Sequence, residues 1–112
     1  MTVTVQTSNS QTAVVGTEQT LATITTAGIY QLFTDLGNLA AGDVLELRAY
    51  GKARSGDTER LMWGPVSYGP IVPAQLLPPS PAFVVAVSLR LSLKQVAGTA
   101  RAFPWAVYST GA

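Results

Sequence analysis

The sequence predicts an all-β domain: a two-sheet antiparallel sandwich, jelly-roll-like, with about seven or eight short strands and an extended proline-rich arm. Three observations predict it. Apolar residues recur at a spacing of two more often than three or four. Thr, Val, Ala, Leu and Ser dominate the chain. Turn signals punctuate it at intervals of roughly 8 to 12 residues. The 112 residues fit one domain, 1–112, with the arm at 69–82. No internal repeat at a solenoid period is visible.

Thr2 to Gln6 alternates Thr and Val and reads as extended. The polar run Thr7-Ser8-Asn9-Ser10 predicts a turn, after which Thr12 to Val15 continues the strand. Thr20 to Thr26 sets Leu21 and Ile24 among threonines, whose branched side chains favour extended backbone. Ala27-Gly28 breaks the chain. Ile29 to Asp35 follows, with Ile29, Gln31 and Phe33 on one face and Tyr30, Leu32 and Thr34 on the other. Apolar groups on both faces predict a strand covered on both sides.

Asp35 to Asp43 is a turn region, too short to support a helix beyond one turn at Asn38 to Ala41. Val44 to Lys52 alternates cleanly: Leu45, Leu47 and Ala49 face inward, while Glu46, Arg48, Tyr50 and Lys52 face outward. Ser55-Gly56-Asp57-Thr58 signals a hairpin, and the returning strand runs from Glu59 to about Val66.

Gly69 to Pro81 departs from this pattern. Its prolines forbid both a helix and a central strand, so it reads as extended and partly polyproline II. It nevertheless carries Ile71, Val72, Leu76 and Leu77, which a solvated linker does not need. Phe83 to Leu93 reads as the clearest strand, with Val85, Val87, Leu89, Leu91 and Leu93 on one face. Ala97-Gly98-Thr99 turns the chain. Arg101 to Tyr108 closes it with Phe103, Trp105 and Val107 inward. Pro104 cannot donate to a ladder, so this strand is predicted to be an edge or to bulge there.

Composition restricts the chemistry. Only 12% of residues are charged and 47% are apolar, against about 25% charged in an ordinary soluble domain. A short chain has a poor ratio of core to surface, so apolar groups must remain outside, where they promote association. There is no histidine and no cysteine. Most nucleophile, proton-shuttle and soft-metal chemistry is thereby removed, so neither catalytic residue nor cofactor is expected. A net charge of +1 is too weak for a nucleic-acid footprint. No apolar run reaches the roughly 18 residues of a membrane span, and no signal peptide is expected from the first residues.

Four candidate sites emerge. Arg48, Lys52, Arg54 and Arg60 surround the central hairpin; Glu46, Asp57 and Glu59 balance them, as on an ordinary solvated face. Asp35 and Asp43 flank a glycine-containing loop, but without the dense ligand series of an EF-hand, so no metal is expected. Trp63, Tyr68 and Trp105 are the ingredients of a carbohydrate platform, and equally of a small sandwich core. The arm is the strongest candidate. Long loops in compact domains are functional or disordered. Its aliphatic groups Ile71, Val72, Leu76 and Leu77 are predicted to dock on a neighbour or to cover an end of their own sandwich, with Arg54 and Arg60 at a polar rim.

Five runs carry a resemblance. They are Gly16-Thr17-Glu18-Gln19-Thr20-Leu21-Ala22 with Thr26-Ala27-Gly28-Ile29-Tyr30-Gln31-Leu32, then Gly42-Asp43-Val44-Leu45-Glu46-Leu47-Arg48-Ala49-Tyr50-Gly51-Lys52 with Arg54-Ser55-Gly56-Asp57-Thr58-Glu59-Arg60, and Leu93 to Trp105. Together they resemble small virion proteins of tailed bacteriophages over most of the chain. Within that group, capsid cement or decoration proteins fit best in size and composition. The resemblance implies a non-enzymatic structural protein on the outer surface of the phage head. Its partners would be the major capsid protein and other copies of itself, with no nucleic acid and no membrane. A tail or baseplate connector is the alternative within the same class; a carbohydrate-binding sandwich using Trp63 and Tyr68 is the alternative outside it.

Overall fold

The computed structural model describes residues 2–70 and 76–111. Among them the chain forms β1 (Thr2–Thr12), β2 (Glu18–Ile24), β3 (Gly28–Thr34), β4 (Val44–Gly51), β5 (Arg60–Tyr68), β6 (Phe83–Val85), β7 (Leu89–Ala97) and β8 (Ala102–Gly111). Two four-stranded sheets result, ordered β1-β8-β3-β6 and β2-β7-β4-β5, with every pairing antiparallel.

The pairing scheme identifies the topology. β1 pairs with β8, β2 with β7, β3 with β6 and β4 with β5. That is one long hairpin, folded at the β4–β5 turn and rolled up so that its strand pairs alternate between the sheets. Further β3–β8 and β4–β7 ladders join the pairs. Eight strands connected in this way form a jelly roll.

Alternation explains the core. Leu45, Leu47 and Ala49 of β4 point inward with Leu89, Leu91 and Leu93 of β7. Facing them are Tyr30 and Leu32 of β3 and Phe103, Trp105 and Val107 of β8. The apolar interior has two parts, one around Leu91, Val107 and Phe83 and the other around Leu47, Leu93 and Phe103. Leu21 and Trp63 pack against both. Two buried polar side chains organise one end. Gln95 donates to the Ala97 and Thr99 carbonyls (3.1 and 2.7 Å) and accepts from the Arg101 N–H (3.2 Å), shaping the β7–β8 turn. Asp43 lies beside that turn and bonds to it.

The structure corrects four expectations. Thr7-Ser8-Asn9-Ser10 is not a turn: β1 runs unbroken past it, and only a bulge between Val5 and Thr7 interrupts its register. Ladder bonds to β8 hold one side of this backbone in register, and tertiary pairing overrides local turn preference. Phe83 to Leu93 is not one strand. β6 belongs to one sheet and β7 to the other, with the crossing at Ala86–Ser88. Val85 and Leu89 both reach the shared core from opposite sides, so the inward alternation persists through a change of sheet.

The strand with Pro104 is neither an edge nor bulged there: β8 lies between β1 and β3, and its register is continuous through Pro104. The Pro104 carbonyl accepts from the Asp35 N–H at 2.8 Å. The N and O of a strand residue point to the same side. The missing N–H therefore faces the end of β3, where the ladder is already finishing, and the β1 ladder is untouched. Finally, β3 is covered on one side only. Tyr30 and Leu32 are buried, whereas Ile29 is exposed.

Candidate functional site

The two sheets turn different outer faces to solvent. On β2-β7-β4-β5, the register sets Arg48 beside Ser92 and Tyr50 beside Arg90, with Glu18 across β7. Tyr50 Oη and Ser92 Oγ both donate to Glu18 Oε2, at 2.7 and 2.5 Å. Arg90 donates to Glu59 (3.0 Å) and Thr20 (3.1 Å). Its guanidinium also lies 4.1 Å from the Tyr50 ring centroid. Arg48 pairs with Glu46 at 2.9 Å.

Burial alone would raise the Glu18 carboxyl. The Ser92 and Tyr50 hydroxyls and the charges of Arg48 and Arg90 outweigh it and hold the group below the usual glutamate value. Tyr50 is pushed up, first by burial and then by the Glu18 carboxylate. On this face Arg48 pairs with Glu46 and Arg90 with Glu59, and the same face also carries Lys94 and the exposed Leu61 and Val96.

The outer face of β1-β8-β3-β6 is different in kind. None of its four strands contains Asp, Glu, Lys or Arg. The register places Val3 and Val5 of β1, Tyr108 of β8, Ile29 and Phe33 of β3 and Val84 of β6 on this one face. Val84 is 78% exposed, Val3 64% and Val5 54%. Phe33 and Tyr108 stand edge to face, with centroids 5.1 Å apart. A shallow groove between Phe33, Pro104 and Tyr108 is bordered by Leu77, with Asp35 at its rim. An exposed apolar face without charge is the mark of an interaction surface.

The described end of the arm lies against its own domain. The Leu36 N–H donates to the Leu76 carbonyl at 2.9 Å, and Pro79 bridges to Phe33. The Ser80 N–H donates to the Leu32 carbonyl, and Ser80 Oγ accepts from the Leu32 N–H, both at 2.8 Å. The segment thus continues the β6 side of β3 where β6 stops. Leu76 and Leu77 remain exposed, and Leu77 adjoins the uncharged face. Ile71 and Val72 lie outside the described residues.

Arg54 and Arg60 are not brought to the arm. They sit at the β4–β5 turn, whereas Leu76 is tied to Leu36 near the start of β4. The length of β4 separates the two groups by roughly 25 Å. Arg54 is exposed and pairs with Asp57 at 3.1 Å.

Of the other candidates, Asp43 is neutralised by Arg101 and Asp35 accepts from the Gly37 N–H at 2.8 Å. Among the described residues no three Asp or Glu side chains gather as a metal site would require. Trp105 is buried in the core. Trp63 is half-buried against both parts of it, and its ring meets Phe83 at 5.9 Å. These aromatics therefore present no shared open platform. The uncharged face was missed in the sequence although its signal was available: long strand segments free of charge at both ends of the chain. Comparison with protein-family models, curated proteins and solved structures finds no match to this chain.

Proposed function

We propose that this chain is a non-enzymatic virion structural protein: a cement or decoration protein that binds the outer surface of a phage head and stabilises contacts between capsomers. The observation that carries the reading is the uncharged outer face of β1-β8-β3-β6, set on the back of a jelly roll whose opposite face carries charged side chains, among them the Arg48–Glu46 and Arg90–Glu59 pairs. In this reading the uncharged side is the one a partner covers. The jelly roll is an architecture used by viral capsid domains, and the sequence resemblance points the same way. Cementing needs a stiff scaffold and a broad contact surface rather than reactive groups. Many identical weak contacts on a shell sum through avidity.

In this reading the major capsid protein covers Val84, Ile29 and Phe33, and Leu76 and Leu77 extend the contact along the arm. Other copies of the chain are the second class of partner.

The test is binding to preassembled heads. The expected result is a saturating copy number that follows the shell symmetry, with heads more resistant to heat. The double substitution Val84→Lys with Ile29→Lys should abolish occupancy while the circular dichroism spectrum is unchanged. Full occupancy by that variant would overturn the docking face. Co-purification with tails after heads are removed would move the protein to the tail. Glycan binding lost on Trp63→Ala would replace the reading altogether.

A further inference from the structure

We propose that the free edge of β1 pairs antiparallel with the β1 edge of a second copy. The two β1-β8-β3-β6 sheets then become one eight-stranded sheet about a two-fold axis.

The inference comes from comparing the edges. A sheet edge exposes unpaired N–H and C=O groups, and proteins that stay apart guard their edges with charge, proline, bulges or short length. β6 is three residues long, and Pro79 and Ser80 continue its side of β3. β5 carries Arg60 and Pro65 and pairs with two register breaks. β2 carries Glu18 and a bulge. β1 has eleven residues without charge or proline. Its guards are light: the bulge between Val5 and Thr7, which leaves Thr7–Thr12 as a regular six-residue stretch on its β8 side, and exposed side chains that a partner strand would displace, Asn9 Oδ1 accepting the Ser10 N–H at 2.8 Å and the Gln11 and Gln19 amides donating to the Thr12 carbonyl at 3.0 and 3.2 Å. Six residues is the usual length of a paired strand.

Symmetry makes the missing charge decisive. Across a two-fold axis each residue meets its own kind or a near neighbour. A charged edge would bring like charges together at the centre. β1 brings Ser8, Asn9 and Ser10, which carry none and whose side chains can hydrogen-bond in facing pairs. These residues are exposed on both sheet faces, so no core packing has to move. The joined sheet keeps Val3, Val5 and Phe33 of both copies on one continuous uncharged face. The pairing does not depend on which larger structure that face meets.

Sedimentation velocity of the full chain, from micromolar to millimolar concentration, should show a reversible dimer. The double variant Ser8→Lys with Ser10→Lys should weaken it at least about tenfold and leave the melting temperature of the monomer unchanged. Mixing that chain with Ser8→Glu, Ser10→Glu should restore dimers, which a merely misfolded variant would not do. Val84→Lys, on the same face but at the far edge, should dimerise like the parent. A chain that stays monomeric throughout overturns the proposal. So does a dimer broken by Val84→Lys alone, or one indifferent to both sets of substitutions. None of these outcomes depends on binding to heads, so failure here and failure of the head-surface reading are separate results.

Discussion

The carboxylate of Asp43 and the guanidinium of Arg101, 58 residues apart in sequence, form an ion pair that fastens the start of β4 to the start of β8. The same carboxylate accepts the Ala40 N–H at 2.9 Å and the Thr99 N–H at 3.0 Å. One side chain therefore closes the β3–β4 connection onto the β7–β8 turn.

The two partners are not equivalent, and their removal should show it. The Asp43 side chain is 2% exposed and that of Arg101 is 33%. Asp43→Ala strands buried N–H groups and is expected to cost about 2–4 kcal/mol. Arg101→Ala lets the loop rehydrate and is expected to cost about 1 kcal/mol. Urea unfolding of the two variants measures the difference.

Acid should loosen this end of the sandwich. Burial alone would raise the Asp43 carboxyl, but the Ala40 N–H, Arg101 and the Thr99 N–H override it and hold it below the ordinary aspartate value. A carboxyl whose folded value is depressed contributes stability that is complete above its unfolded value, near pH 4, and is lost as pH falls through the folded value. Glu18 adds to the same window, since its carboxyl is also held low. Stability should therefore be level from neutral pH down to about pH 5 and fall below about pH 4. The fall should be shallower in Asp43→Asn, as followed by urea midpoints across pH.

Gly98 tests the fit at the same place. Its φ is +96°, and a Cβ there would run into the Asp43 side chain. Gly56 has a similar φ of +86°, but nothing lies near its Cβ position. Gly98→Ala should cost about 2–3 kcal/mol, and Gly56→Ala about 1 kcal/mol from backbone strain alone. Thermal unfolding of the pair separates collision from conformational preference.

Ser80 holds the arm. Its hydroxyl accepts from the buried Leu32 N–H and donates to the Pro81 carbonyl, both at 2.8 Å. Ser80→Ala leaves that N–H without its side-chain partner, for an expected loss of about 1–3 kcal/mol. The variant should also be cut faster by protease between Leu76 and Pro81 while the sandwich core stays resistant.

Much of this was readable from residue order. The alternation of Val44 to Lys52 predicts which side of β4 is buried, and Phe103, Trp105 and Val107 face inward as their spacing requires. The candidate site was less legible. The arm announced itself by composition. The uncharged face depends on β1, β3, β6 and β8 lying together, and residue order does not disclose that grouping.

By itself, then, the sequence determined that the chain is all-β, which side of most strands is apolar, and that no His or Cys chemistry is open to it. Only the tertiary structure decided that Phe83 to Leu93 is divided between two sheets, that Thr7-Ser8-Asn9-Ser10 is strand, and that the uncharged strands share one face. The physical reason is that alternation records a single strand's inside and outside. Pairing is set by contacts between residues far apart in the chain, and two sheets facing one core write the same pattern into both.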